Sequence, residues 1–253
     1  AILKTLRYSD HFGFPLTLSE IHLRLIGIRI SQIRLTRQIR LMLKSKTIAQ
    51  TLDYYHLPGR KELVARRLSR AKLSAPQRDR ARMLALRLGS VPGVIAVYLT
   101  GSLAMQNSDS NSDIDFMVIT QNRRLWTTRL ILTIYTSFLG LRRTPRSKHN
   151  TGKLCLNLYL TPMSYSLPIH KQSLYTAYEL FQTVPLYDPT LTHATLLSAN
   201  SWIKNYLPNV ILGSDLKGSA QPADSKAGRS DPKGFMDIIE SISYHLQLLY
   251  IRP

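Results

Sequence analysis

The sequence predicts an α/β (α+β) chain in two parts: a mainly helical N-terminal unit, then a small mixed sheet flanked by helices. Three observations lead there. Residues 1–57 carry helical periodicity three times and end in two short strand-like runs. Residues 94–160 carry three apolar runs of strand character with helical segments between them. Residues 213–233, rich in Gly, Ser, Asp, Lys and Pro, read as a linker beyond that second part. At 253 residues and 44% hydrophobic, the chain can bury one ordinary core and a smaller second one.

The first helix spans residues 2–9 and is ended by His-Phe-Gly-Phe-Pro. Thr17-Leu18-Ser19-Glu20 is a capping box that opens a second helix, stopped at Gly27. A third helix is expected over residues 31–44. At about 100° per residue, Leu35, Ile39, Met42 and Leu43 share one face, while Arg34, Arg37, Arg40 and Lys44 lie within an arc of about 120° opposite. Strands at 47–51 and 54–57 follow. Three helices and a small hairpin are the order of a winged helix-turn-helix, so residues 1–58 are expected to form a winged-helix-like domain. Its third helix would enter the major groove, with Arg34, Arg37, Arg40 and Lys44 as nucleic-acid-binding residues. The same unit can also serve as a packing or dimerisation module.

Residues 59–90 read as a helical connector broken around Ser74-Ala75-Pro76. Residues 91–208 form the second domain: a strand at 94–100, the turn Gly101-Ser102 with a short helix to Gln106, and a strand at 113–119. A helix at 125–139, a strand at 154–160 and helices at 171–182 and 191–206 complete it. Residues 209–233 are expected to be a flexible linker and residues 234–253 a C-terminal helix that docks elsewhere.

The formal charge is +19 and the pI about 10.3, which points to an anionic partner. Residues 1–90 hold 19 Lys and Arg against five acids, a net +14, so nucleic-acid contact is sought there first. The single cysteine, Cys155, excludes an intramolecular disulfide and fits a reducing, cytoplasmic setting. The opening Ala-Ile-Leu-Lys has no signal-peptide layout and reads as a trimmed start. The apolar stretch at 125–141 contains Arg129 and is shorter than the ~20 residues a membrane span needs, so no membrane contact is expected.

Chemistry concentrates at Gly101-Ser102 and Asp113-Ile114-Asp115. Residues two apart on a strand face the same side, so Asp113 and Asp115 present two carboxylates together while Ile114, Phe116 and Val118 bury the other face. Two adjacent acids repel, and a divalent cation relieves that repulsion. Mg²⁺ (or Mn²⁺) prefers one or two carboxylates with phosphate oxygens and water. Gly101 lets the backbone approach phosphate, and Ser102 offers a hydroxyl.

Gly-Ser followed after about ten residues by Asp-x-Asp in an apolar strand resembles the signature of the polymerase-β-like nucleotidyltransferase superfamily. Ser102 and Asp113 stand eleven positions apart, and the match covers residues 94–120. The resemblance implies the nucleotidyltransferase fold, an NTP substrate, Asp113 and Asp115 as catalytic metal ligands, and Gly101 and Ser102 as nucleotide-binding residues. Two positions depart from the pattern. Where many members continue to an Arg-Gly pair, this chain has Met105-Gln106. Where the third carboxylate sits on a later strand, the strand at 154–160 offers Asn157, an amide that can ligate through oxygen but brings no charge. Asp188, in a turn-like Pro185-Leu-Tyr-Asp-Pro, reads as a cap or turn residue.

Arg123, Arg124, Arg129, Lys148 and Lys153 are further basic groups near the motif, and His149, His170 and His193 form no ligand spacing. The expected activity is metal-dependent transfer of a nucleoside monophosphate from an NTP to a hydroxyl acceptor, with nucleic acid as one acceptor class. The alternatives are a non-catalytic nucleotide-sensing DNA-binding regulator and a toxin-neutralising nucleotidyltransferase acting on a protein.

Overall fold

The computed structural model describes residues 1–143, 152–212 and 235–251. The expected linker at 213–233, together with Lys148 and His149, lies outside the described residues. The chain is mixed α+β with a small mixed sheet.

Helices α1 (Ile2–His11), α2 (Leu18–Leu23) and α3 (Gln32–Lys44) precede a hairpin of β1 (Ala49–Thr51) and β2 (Tyr54–His56). The capping box forms as the sequence requires: the Glu20 N–H donates to Thr17 Oγ1 and the Thr17 N–H donates to Glu20 Oε2 at 2.8 Å. Ser31 caps α3. Leu16, between α1 and α2, pairs in an isolated bridge with Tyr55 of β2. The core of this unit joins Leu6, Leu16, Ile21, Leu35 and Ile39, so α3 buries its expected apolar face and turns its basic face outward.

Helix α4 (Glu62–Gly89) is one continuous helix, not the broken connector expected at 74–76. Pro76 leaves the Lys72 carbonyl without its intrahelical partner, but both residues are exposed and water can take that carbonyl. Packing at both ends keeps the helix continuous through the proline. Arg67 of α4 donates to Glu20 Oε2 at 2.8 Å and Oε1 at 2.6 Å, and its guanidinium lies 3.9 Å from the Phe14 ring centroid. Leu84, Ala85 and Leu88 of the same helix enter the core under the sheet.

The sheet has the order β5-β4-β3-β6, built from β3 (Val94–Leu99), β4 (Ile114–Thr120), β5 (Leu154–Leu160) and β6 (Val184–Tyr187). β4 runs parallel to β5, and β3 is antiparallel to both β4 and β6. Strand β6 was not expected; it is short, contains Pro185 and lies at the edge, where a missing N–H costs no ladder bond. Alternation sorts the two faces. Val97, Leu99, Phe116 and Val118 meet α4 and α6 (Leu125–Phe138), whereas Ala96, Tyr98, Met117 and Ile119 meet α7 (Leu174–Phe181), α8 (Thr192–Ala199) and α9 (Ile203–Tyr206).

A short helix α5 (Gly101–Ala104) leads from β3 toward β4. The helix expected over 191–206 is two. Asn200 Nδ2 donates to the Tyr165 carbonyl at 2.6 Å, and its Oδ1 accepts from the Leu167 N–H at 3.0 Å and Trp202 Nε1 at 2.8 Å, so a buried amide breaks the helix to satisfy a neighbouring loop. Val210 and Leu212, at the start of the expected linker, are buried in this core. Helix α10 (Phe235–Ile251) docks on α6: Glu240 accepts the Trp126 and Thr127 N–H groups at 2.7 Å each, capping a helix that has no side-chain cap of its own. Among the described residues, no helix is long and apolar enough to cross a membrane.

The Arg67–Glu20 contact ties the N-terminal unit to α4. Burial alone would raise the Glu20 pKa, but the hydrogen bond and charge of Arg67 outweigh it and hold the carboxyl below its ordinary value. A depressed acid adds stability above its unfolded pKa, which is lost as pH falls through the folded value. Arg67→Met should therefore lower the unfolding free energy at neutral pH by about 2–3 kcal/mol and flatten the acid limb of stability against pH. Urea denaturation across pH checks this; a loss under about 1 kcal/mol at neutral pH contradicts the role given to Arg67.

Candidate active site

The turn at Gly101 is held against the acids by the backbone itself. The Thr100 N–H donates to the Asp115 carbonyl at 2.9 Å, and antiparallel pairing sets Leu99 opposite Phe116. Gly101 takes φ +65°, and a Cβ there would meet Asp115 Oδ2 at 2.6 Å. Both conditions demand glycine. Ser102 follows as the second residue of α5, and its carbonyl accepts the Asn107 N–H at 2.9 Å, which folds the loop back toward β4.

Asp113 immediately precedes β4 and Asp115 lies in it; Ile114, Phe116 and Val118 are fully buried on the opposite face. Arg143 Nη1 donates to Asp113 Oδ2 at 2.5 Å. In the β4–β5 register, Cys155 is the residue opposite Asp115, and ligand atoms of Asp113, Asp115 and Cys155 all lie within 4.8 Å of one another. Asn157, two residues further along β5, has its side chain outside the described atoms. Burial, then the charge of Asp113, raise the pKa of Asp115. Burial and the neighbouring carboxylates push the Cys155 thiol up to about 11, so at neutral pH it is an S–H donor to Asp115 rather than a thiolate.

The donors present fit a hard divalent cation. Two carboxylates converge in a half-buried place where they repel, and their oxygens are the ligands Mg²⁺ or Mn²⁺ prefers. The protonated thiol adds no charge to that set.

A cavity of about 750 Å³ opens beside Asp115, in the range that takes a nucleotide-sized ligand; Asp113 is not among its lining residues. Its polar wall holds Gly101, Ser102 and Asp115. The N-terminal unit also lines it, with Tyr8, Phe12, Phe14 and Arg24, and α7 supplies Tyr175, Tyr178 and Glu179. Tyr8 stacks on Tyr178 with centroids 4.5 Å apart, and the Tyr178 hydroxyl donates to the Arg24 carbonyl at 2.9 Å. Glu179 carries a raised pKa, from burial first and then from the charge of Asp115; burial, then the charge of Glu179, push the Tyr8 phenol up to about 12.

Glu179 was not anticipated, although it is the only acid between Asp115 and Asp188. It sits between the buried Tyr178 and Leu180, where helical periodicity gives no hint of a cavity. Gln106 takes φ +55°, a left-handed conformation at the position where an Arg-Gly pair would place glycine. The Met105 sulfur accepts from Arg24 Nη2 at 3.3 Å, so a guanidinium from the N-terminal unit stands beside this turn. Asp188 caps α8, accepting the Thr192 and His193 N–H groups at 2.8 and 2.9 Å. Arg129 lies over the Trp126 and Tyr159 rings, and Lys153 donates to the Gly140 carbonyl. His193 is hydrogen-bonded to Thr183 Oγ1, and Arg123 and His170 are exposed. Arg34, Arg37, Arg40 and Lys44 all lie on the exposed side of α3, and none lines the cavity.

Comparison with family models, curated proteins and solved structures finds no match for this chain.

Because Asp115 carries a raised pKa, its ionisation opposes folding once pH exceeds the ordinary carboxylate value. In metal-free buffer at neutral pH, Asp115→Asn should raise the melting temperature by about 2–4 °C, the shift that ~1 kcal/mol gives in a chain of this size. The advantage should vanish below the ordinary carboxylate range, where the acid is protonated folded and unfolded alike. Thermal melts at the two pH values decide; an unchanged or lower melting temperature at neutral pH contradicts the cost assigned to burying the ionised Asp115 beside Asp113.

Proposed function

We propose that this chain is a divalent-metal-dependent nucleotidyltransferase, moving a nucleoside monophosphate from an NTP to a hydroxyl acceptor on nucleic acid. The observation that carries the reading is the contact of the Gly101-Ser102 turn with Asp115: a turn that leaves no room for a Cβ lies directly against one of two paired carboxylates, and turn and carboxylate both line a nucleotide-sized cavity.

In this reading Asp113 and Asp115 would hold Mg²⁺ or Mn²⁺, which neutralises triphosphate charge and favours ionisation of the acceptor hydroxyl. Ser102 and the backbone at Gly101 position the triphosphate. The acceptor oxygen bonds to the α-phosphorus, the bridging α–β P–O bond breaks, and pyrophosphate leaves with that electron pair. The hydroxyl proton passes to a cavity carboxylate, and Glu179, which lines the cavity and whose pKa burial raises, is the candidate acceptor. Arg143, now paired with Asp113, would be released toward phosphate oxygens as a cation takes its place.

The N-terminal unit is read as a winged helix. The Leu16–Tyr55 bridge supplies the third short strand of such a unit, and the exposed basic face of α3 supplies phosphate contacts. One observation favours a second reading. The Arg143–Asp113 ion pair already neutralises one acid without a metal, as a non-catalytic nucleotide sensor that binds DNA could use.

Transfer of label from α-labelled NTPs to pooled RNA, DNA and protein tests the proposal. The native chain should label nucleic acid with Mg²⁺ or Mn²⁺, and Asp113→Ala/Asp115→Ala should lose at least about 100-fold of that activity, as expected when the charge-stabilising group is removed. Nucleotide binding without any transfer would hand the case to the sensor. Label appearing only in protein would redirect the acceptor.

A further inference from the structure

Arg70, Ser74 and Gln77, spaced i, i+4 and i+7, share one face of α4, and each is bonded to the loop that joins α5 to β4. The Ser74 hydroxyl bonds that of Ser108 at 2.9 Å and accepts the Ser108 N–H at 3.3 Å, with both serines fully buried. Gln77 Oε1 accepts from the Ser108 hydroxyl at 3.1 Å, and its Nε2 donates to the Asp109 carbonyl at 3.3 Å. One turn before this clamp, Arg70 Nη1 donates to Asn107 Oδ1 at 3.2 Å. Asn107 is fixed in turn, because its N–H donates to the Ser102 carbonyl at 2.9 Å and its Nδ2 to the Phe12 carbonyl at 3.3 Å. A single residue therefore links the Arg70 guanidinium to the Gly101-Ser102 turn, and Arg70, Asn107, Ser102 and Asp115 all line the cavity. The bond to a neutral amide is the one polar contact of Arg70 among the described residues, and no carboxylate of theirs pairs with it.

Resting on the nucleotide reading above, we infer that Arg70 of α4 binds the triphosphate of the NTP and the pyrophosphate that leaves. The cavity is lined by three acids, Asp109, Asp115 and Glu179, against two cations, Arg24 and Arg70. Arg24 is spent: its Nη1 donates to Gln182, its Nη2 to the Met105 sulfur, and its Nε is buried. A polyphosphate entering so acidic a lining needs positive charge beyond a metal ion, and Arg70 is the lining cation with N–H groups left to give. Its planar fork of donors matches two oxygens of a phosphate chain. The buried Ser74–Ser108 bond holds α4 against the loop, so the guanidinium is in place before the ligand arrives. The helix that connects the two parts of the chain thereby contributes to the site itself.

Calorimetric titration of the full chain with ATP, GTP, CTP and UTP, their monophosphates and inorganic pyrophosphate, each with Mg²⁺, tests this directly. Arg70→Met should weaken the tightest-binding NTP, and pyrophosphate, by at least about 10-fold, the loss expected for a charge-assisted hydrogen bond. The matching monophosphate should stay within about twofold and the melting temperature within about 2 °C, the behaviour of a lost phosphate contact rather than lost structure. Arg70→Lys, which keeps the charge without the fork, should fall between the native chain and Arg70→Met. Unchanged NTP and pyrophosphate affinity in Arg70→Met overturns the inference and leaves the nucleotide reading standing. An equal fall for the NTP and its monophosphate also overturns it, since Arg70 would then not be reading the added phosphates. Failure of every NTP and of pyrophosphate to bind the native chain removes the nucleotide reading itself, and the role of Arg70 with it.

Discussion

The contact between Gly101 and Asp115 is the constraint on which the site depends. Antiparallel pairing of β3 with β4 brings the end of one strand to the start of the other, and the Thr100 N–H to Asp115 carbonyl bond fixes the turn there. With no Cβ at Gly101, backbone and carboxylate approach within a distance no other residue permits. The sheet is therefore more than a support. Its alternation puts Asp115, Met117 and Ile119 on the face that opens to the cavity, and Ile114, Phe116 and Val118 on the face sealed by α4 and α6. Burial of that sealed face holds two repelling acids in place.

A second element completes the cavity from far away in sequence. Helix α4 carries Arg67, which holds Glu20 and packs on Phe14, and its other end lies under the sheet. The N-terminal unit is thereby set against α7 and α9: the Gly27 N–H donates to the Tyr206 carbonyl at 2.9 Å, and Asn209 Nδ2 donates to the His22 carbonyl at 2.8 Å. Tyr8, Phe14 and Arg24 become cavity walls by this docking. The unit read from sequence as a separate nucleic-acid binder also lines the cavity, while its basic α3 face stays exposed.

Local patterns in the sequence gave reliable elements. The Thr17–Glu20 capping box, the Ser31 cap, the apolar face of α3 and the alternation in β4 appear in the structure as expected, because each is decided within a few residues. What was not legible depended on partners distant in sequence. Pro76 reads as a breaker until the packing at both ends of α4 is known. Asn200 splits a helical pattern because Tyr165 and Leu167, some 33–35 residues away, need its amide. Strand β6 is too short and too proline-marked to stand out, and its existence follows from pairing with β3. At the site, the Asp113–Asp115 pair and the Gly101 turn were legible as a motif, whereas Glu179 and Arg24 were not, since nothing local marks a helix residue as lining a cavity.

The central claim is that the paired acids and the cavity serve one ligand, a nucleotide held with its metal. The most direct test is thermodynamic linkage: titrate Mn²⁺ into the full chain with and without a saturating non-hydrolysable NTP analogue, and titrate the analogue with and without Mn²⁺. If the two share the site, each should tighten the other by the same factor, and Asp115→Asn should abolish that factor while leaving weak metal-free analogue binding. Analogue affinity that ignores Mn²⁺ would mean that the carboxylates and the cavity are not one site.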